Sequence, residues 1–455
     1  MKTMVQKPEQ PLFTDRALHR LILPLVVEQL LMMTVGMADT VMVTSAGEAV
    51  VSGVSLVDNI NTLIIQVFSA LSTGGAVVVS QYLGHKEKDG ARRAAAQLLY
   101  IMLGLSTVLS AACLLMRQHI LALIFGQVEA DVMHSALVYF LITAAAYPFM
   151  AIYNAGAALF RAHGNSRVSM WCTFIINLIN IGVNAVLIYG FQMGAIGAGL
   201  GTLVSRIAAA IIIMTLLHGP ASGVQMQPLW PVRFQKHMAS RILFVGIPNG
   251  LENGMFQIGK LLVLNLITTF GTAAVAANAI TNSIASVTSV PGIGIGLAMI
   301  TVVGHCMGAG QPEQARYYTY RLMGYSILCM AVMAGVLYVG SPYLVTLFEL
   351  SPAAQDMAVQ SMRICALGDV LFWPLAFTLP NSLRAAGDAM FTMVLSLVSM
   401  FLCRVALSYL FACPWGFGWG LAGVWTAMVA DWVVRAVFFV LRYKQGRWAE
   451  IQVLK

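Results

Sequence analysis

Several ionisable side chains lie inside long hydrophobic runs of the chain: Glu28, Asp39, Arg206, Glu252, Lys260, Asp369, Arg404, Asp431 and Arg435. A charged group in hydrocarbon is expensive, so each of these needs a partner or a task. Asp39 is the best candidate for a task. It falls near the middle or outer half of the first run, among Met33, Gly36, Met37 and Met42. A carboxylate there suits cation coupling, because protons and other cations compete for the same oxygens. The plainer reading is a buried aspartate hydrogen-bonded to neighbouring helices. Glu252 and Lys260 are eight residues apart, which puts them near one face of a helix. With Asp369 they make either an ion site or a structural network in which Lys260 neutralises one of the carboxylates. Asp431 and Arg435, spaced i and i+4, should pair with each other. Arg206 and Arg404 either line a cavity or reach toward an interface. Asp58, early in the second run, reads as a solvated residue near the outer mouth.

The elements that must hold these groups are membrane-spanning helices. Of 455 residues, 59% are hydrophobic and 10% charged, against roughly 25% charged in an ordinary soluble domain. Runs such as 98–116 and 136–160 are apolar all round, as suits helices surrounded by lipid or by other helices. Only helices and closed barrels satisfy their backbone in a bilayer, and a barrel would alternate polar and apolar residues in segments of about ten. No such alternation occurs. Charged or Gly/Pro-rich breaks mark twelve spans, near 20–44, 53–80, 94–116, 133–158, 168–190, 195–217, 242–268, 274–304, 319–340, 355–380, 390–412 and 419–442. The first run, from Leu21, continues too long without a small-residue cleavage site to be a signal peptide, so it is read as the first span. The seven cysteines are scattered with no CxxC pair, so neither a metal site nor a disulfide framework is expected. The +8 net charge follows the membrane sides: with both termini on one side, twenty Lys and Arg fall there and little more than Arg117 falls opposite. This positive-inside pattern puts both termini in the cytoplasm of a multi-pass inner-membrane protein, and it needs no nucleic acid to explain it.

The two halves match each other. An offset of 224 residues superposes Pro24 on Pro248, Glu28 on Glu252, Val78 and Val79 on Val302 and Val303, Gly84 on Gly308, and Arg92 on Arg316. Further along, Phe160-Arg161-Ala162-His163-Gly164 meets Leu383-Arg384-Ala385-Ala386-Gly387 at an offset of 223. Six spans per half is an even number, so the repeats are parallel and both enter the membrane from the same side. The expected division is an N-lobe over 1–217, a cytoplasmic linker over 218–241 containing Pro220, Pro228 and Pro231, and a C-lobe with a short tail over 242–455. Parallel repeats of this kind place a substrate site between lobes that rock against each other.

These features resemble the multidrug and toxic compound extrusion (MATE) family. The resemblance covers about residues 17–443. Its carriers are Pro24 with Asp39 in Gly36-Met37-Ala38-Asp39-Thr40-Val41-Met42, the Gln81-Tyr82-Leu83-Gly84 loop, Phe160–Asn165, Gly194–Ala198 and the second-half loop Leu383–Asp388. It implies an all-α integral membrane protein, with twelve transmembrane helices in two parallel six-helix lobes. It also implies export of bulky, often cationic compounds driven by inward proton or sodium flow. The resemblance assigns Asp39 to cation coupling and places Tyr139, Asn154, Asn180, Asn184 and Thr202 among the polar groups of that site. Each of these also fits the plainer role of joining helices. Position 184 departs from the pattern: related proton-coupled members tend to carry aspartate there, and an amide cannot titrate, which puts a two-carboxylate proton network in doubt. Some sodium-coupled relatives carry a glutamate on the seventh helix and an aspartate on the tenth. Glu252 and Asp369 stand about one turn from that spacing.

The expected activity is therefore secondary antiport of drugs or other toxic organic compounds, by a monomer in the lipid bilayer with no cofactor beyond the coupling ion. The alternative is a flippase for a lipid-linked saccharide or related precursor, for which Arg206, Arg404 and Lys260 would supply a cationic cavity. Neither HExxH nor GxSxG occurs, so no enzyme is expected. Parallel lobes also suit alternating access better than a continuous channel.

Overall fold

A computed structural model describes residues 8–126, 128–219, 226, 233–348, 350–451 and 453–454. Half of the expected 218–241 linker, including its three prolines, lies outside the described residues, as do Lys2, Lys7 and Lys455. The described residues form thirteen long helices and no strand: α1 (Asp15–Thr44), α2 (Glu48–Gly84), α3 (Lys88–Phe125), α4 (Ala130–Ala162), α5 (Ser166–Gly190), α6 (Gly194–His218), α7 (Lys236–Thr268), α8 (Thr272–Gly308), α9 (Pro312–Val345), α10 (Pro352–Leu371), α11 (Pro374–Ala386), α12 (Ala389–Ala412) and α13 (Gly420–Gln445).

Ten of these helices are long and apolar enough to cross a membrane, and α10 with α11, bent by 61°, makes an eleventh span. The twelfth expected span is α7. At 33 residues it is long enough, but it carries Asn249, Glu252, Asn253, Gln257 and Lys260, and its polar load takes it out of the apolar class. A bilayer helix with that load must spend those groups on other helices rather than on lipid.

Two compact units make up the chain. One, the N-lobe, is His19–Gly250; the other, the C-lobe, is Leu251–Lys455 together with the chain up to Leu18. The division falls within α7, two residues after Pro248, instead of in the 218–241 segment expected from composition. Within the N-lobe, α4 packs against α2, α3, α5 and α6. Within the C-lobe, α8 packs against α9, α10 and α11, while α13 packs against α10 and α12. Met362, Trp373, Trp425 and Trp432 fill the core of that lobe. The amino-terminal segment is fastened to α9: Leu12 and Phe13 donate their backbone N–H to Gln314 and Tyr318, and Arg321 Nη1 meets Asp15 Oδ1 at 2.5 Å.

The repeat seen in the sequence is repeated in the chemistry. Glu28 accepts a hydrogen bond from Arg161 Nη1 at 3.2 Å and a second from Ser169 Oγ at 2.6 Å. Its repeat mate Glu252 takes both oxygens to Arg384 Nη2, at 2.7 and 2.8 Å. Both glutamates are buried, at 2% and 7% exposure. The loops that follow the arginines match too, since Gly164 and Gly387 have φ of +77° and +104°, a region that favours glycine. In each lobe one buried ion pair thus ties the first helix of the repeat to the end of its fourth span.

Removing one partner of such a pair leaves an uncompensated buried charge, which costs about 3–5 kcal/mol. Arg161→Ala or Arg384→Ala should therefore lower the melting temperature in detergent sharply. The double variant Glu28→Gln with Arg161→Gln should recover most of that loss, and thermal unfolding of purified protein checks both.

Candidate functional site

The site is held by a ladder of hydrogen bonds between α1 and α5, which run in the same direction. Ser166 Oγ donates to the Leu21 carbonyl at 2.7 Å, Ser169 to Glu28, Asn177 Nδ2 to the Leu31 carbonyl at 2.7 Å, and Asn184 Nδ2 to Asp39 Oδ1 at 2.8 Å. Polar side chains at such spacing join helices where no hydrophobic force between them exists. The rungs fix the height and rotation of α1, and the last rung holds the Asp39 carboxylate. Asn184 Nδ2 is shared with Asn180 Oδ1 at 3.3 Å. With its nitrogen committed to two acceptors, the amide must turn its oxygen away from them. That oxygen is buried without a partner among the described residues, and it lies so close to Gly201 of α6 that a Cβ there would overlap it.

Asp39 faces a cavity of about 30 Å³ inside the N-lobe, room for one or two waters. The polar lining is Asp39 and Thr40 from α1, Ser55 and Asp58 from α2, Tyr139 from α4, Asn184 from α5 and Thr202 from α6. Tyr139 donates its hydroxyl to Asp58 Oδ1 at 3.1 Å, Asn61 Nδ2 reaches the same oxygen at 3.2 Å, and Tyr147 supports Asn61 at 2.9 Å. Arg206 of α6 lies within electrostatic reach of Asp39 and Tyr139, with its Nε buried and unpartnered among the described residues. Two carboxylates and one guanidinium leave the site one positive charge short.

Five residues singled out from the sequence beside Asp39 meet the structure differently. Tyr139, Asn184 and Thr202 line the cavity, and Asn180 supports Asn184. Asn154 does not join them; its amide donates to the Met150 carbonyl of its own helix at 2.9 Å. Asp58 is the residue that sequence reasoning missed. It is exposed, as expected, but it shares the Asp39 cavity and holds two hydrogen bonds. No sequence signal marked it: Asp39 stands five residues before the end of α1 and Asp58 ten after the start of α2, across a three-residue turn.

In the C-lobe the expected grouping of Glu252, Lys260 and Asp369 is corrected. Glu252 is taken by Arg384, not by Lys260. Asp369 accepts from Thr288 Oγ1 at 3.2 Å and from Cys365 Sγ at 3.6 Å. Lys260 is exposed and lies 5.4 Å from the centre of the Phe256 ring. Spacing of eight along α7 did set the two side chains near one face, but a guanidinium 132 residues away in sequence outcompeted the lysine. Asp431 and Arg435 pair as expected, at 2.9 Å.

The sequence profile of the MatE family matches residues 24–186 and again residues 248–410, well over half of the chain. This chain belongs to the MATE family. The two matches begin and end 224 residues apart, the same offset that superposes Glu28 on Glu252. Among MATE relatives it is similar to the uncharacterized transporter YisQ of Bacillus subtilis, with 26% identity covering 98% of this chain and 97% of that one. It is also similar to the probable multidrug resistance protein NorM of Thermotoga maritima, with 25% identity over 100% of this chain and 97% of the relative. Its fold matches that of a multidrug resistance MATE family transporter of the MOP superfamily in an outward-facing conformation, at a TM-score of 0.89 and 20% identity, covering 96% of each chain. A MATE protein is a multi-pass membrane transporter, not an enzyme.

The Gly201 contact makes a test of the site. Gly201→Ala should push the Asn184 amide off Asp39 and reduce gradient-driven transport at least tenfold while the protein stays folded. Gly182→Ala, where an added Cβ meets nothing within 4 Å, should leave transport unchanged. Efflux from vesicles with each variant, beside size-exclusion profiles, checks the pair.

Proposed function

We propose that this MATE protein is a secondary antiporter that exports bulky organic compounds in exchange for a cation moving inward, with both termini on the cytoplasmic face. The carrying observation is that Asp39 and Asp58, from adjacent helices, line one small cavity beside a single arginine. Like charges at such a site repel, and one proton or one sodium ion relieves the excess. The names of curated relatives, among them a probable multidrug resistance protein, support organic compounds as the exported class.

Coupling follows from linkage. A ligand shifts a conformational equilibrium only through differential affinity for the two states. The cation favours the state in which the Asp39 cavity is closed round it, and the organic substrate favours the other. Asn184 and Tyr139 act as positioning residues: one holds Asp39 and the other Asp58. A cation that binds these carboxylates must displace little, because their hydrogen bonds use one oxygen of each. The lipid-precursor flippase finds less support. It calls on a strongly cationic cavity, whereas the cavity that the described residues form round Asp39 carries two carboxylates beside one arginine.

Efflux of ethidium, a planar organic cation, is measured in proteoliposomes with proton and sodium gradients imposed separately. One of the two should drive export. Asp39→Asn should abolish that component and Asp58→Asn should lower it at least tenfold, with insertion and folding intact. Export unaffected by Asp39→Asn would remove the N-lobe cavity from the mechanism.

A further inference from the structure

The C-lobe contains a cluster with the opposite charge imbalance. Arg404 and Arg435 lie 4.9 and 5.5 Å from the Phe256 ring centre, and Lys260 lies 5.4 Å from it. Arg435 is neutralised by Asp431, whose Oδ1 also accepts from Ser399. Arg404 has no such partner. It is only 7% exposed, and among the described residues its guanidinium has one acceptor, the Met428 thioether at 2.9 Å. A thioether is a weak acceptor for a group with five N–H donors. Stacking on an aromatic ring returns only a small part of what burying a cation costs. Lys260 forms no ion pair with any described carboxylate. Asp369, the remaining interior carboxylate of this lobe, is engaged by Thr288 and Cys365. Three cations against two carboxylates leave the cluster one positive charge in excess, with Lys260 on its exposed side.

We propose that Arg404 and Lys260 form an anion-binding site on the C-lobe that receives a single carboxylate or phosphate on an otherwise apolar molecule. The guanidinium presents a planar fork that matches either anion with two parallel hydrogen bonds. Lys260 adds a second donor from the exposed side, and Phe256 and Met428 supply apolar surface for the body of the ligand. The site goes beyond the cation-coupled export described above and does not rest on it, since no residue of the Asp39 cavity takes part. The same headgroup chemistry occurs in free organic anions and in anionic phospholipids.

Binding is measured on the full chain in uncharged detergent, with 2-naphthoate as the probe and 2-naphthylmethylammonium as its cationic counterpart. A parallel arm reconstitutes the protein in phosphatidylcholine with phosphatidylglycerol and counts the phosphatidylglycerol that stays bound after extraction. The expected result is that naphthoate binds and its cationic counterpart does not compete. Arg404→Gln should weaken naphthoate at least tenfold. Lys260→Gln, at an exposed position that should not disturb folding, should do the same, and Arg404→Lys should retain most of the affinity. Asp39→Asn should leave naphthoate binding unchanged, which separates this site from the coupling role. Retention of phosphatidylglycerol by the wild type but not by the two glutamine variants would identify lipid as the source of the anion. Equal binding of either anion by wild type and Lys260→Gln, no binding of either, or equally tight binding of the cationic probe would overturn the proposal.

Discussion

The interaction on which the rest of the molecule depends is the buried ion pair that sets a cation beside the glutamate on the first helix of each repeat. Glu28 pairs with Arg161, and Glu252 with Arg384. Each pair joins the first helix of a repeat to the end of its fourth span, so each also sets how that helix sits in its own lobe. In the N-lobe the consequence reaches the site. Asp39 follows Glu28 by eleven residues, about three helical turns, and so returns to the same face of α1. Ser169 at Glu28 and Asn184 at Asp39 hold that face against α5, while Arg161 ties Glu28 to α4.

Duplication preserved the anchor and not the site. The repeat mate of Asp39 at the 224-residue offset is Val263, a buried apolar residue. The C-lobe instead carries Arg404 and Lys260 near Phe256. One scaffold has therefore been given a net negative site in one copy and a net positive cluster in the other, while the pair that builds each copy stayed the same. Any account of transport has to treat the lobes as chemically different devices.

Much of this was legible in the sequence, for identifiable reasons. Hydrophobic runs too long and too uniform for strands gave the helices, and α7 alone blurred the count because its polar residues dilute its hydropathy. The internal match placed Glu28 over Glu252 at an offset of 224 and Arg161 over Arg384 at 223, so the doubled ion pair was in principle readable: two residues that recur together in both repeats are candidates to touch. Local spacing suggested Lys260 instead, because periodicity along one helix sees only near neighbours, while Arg384 arrives from a distant turn. Asp39 and Asn184 could be named because the family pattern points to them. Asp58 could not, since an aspartate early in an apolar run looks the same whether it meets water or a second carboxylate. Asn154 shows the reverse error, for a polar residue inside a span satisfied itself on its own backbone.

The slot that Gly201 leaves for the Asn184 side chain bears on the charge of the cavity as well as on its shape. Asparagine and aspartate have nearly the same shape, so the slot has room for either, but an ionised aspartate would have no N–H to give to Asp39 or Asn180. One amide-to-acid exchange would change the formal charge of the cavity by a full unit and, in the ionised form, remove the rung that holds the Asp39 carboxylate. The charge of the cavity and the hold on Asp39 therefore change together, through one atom.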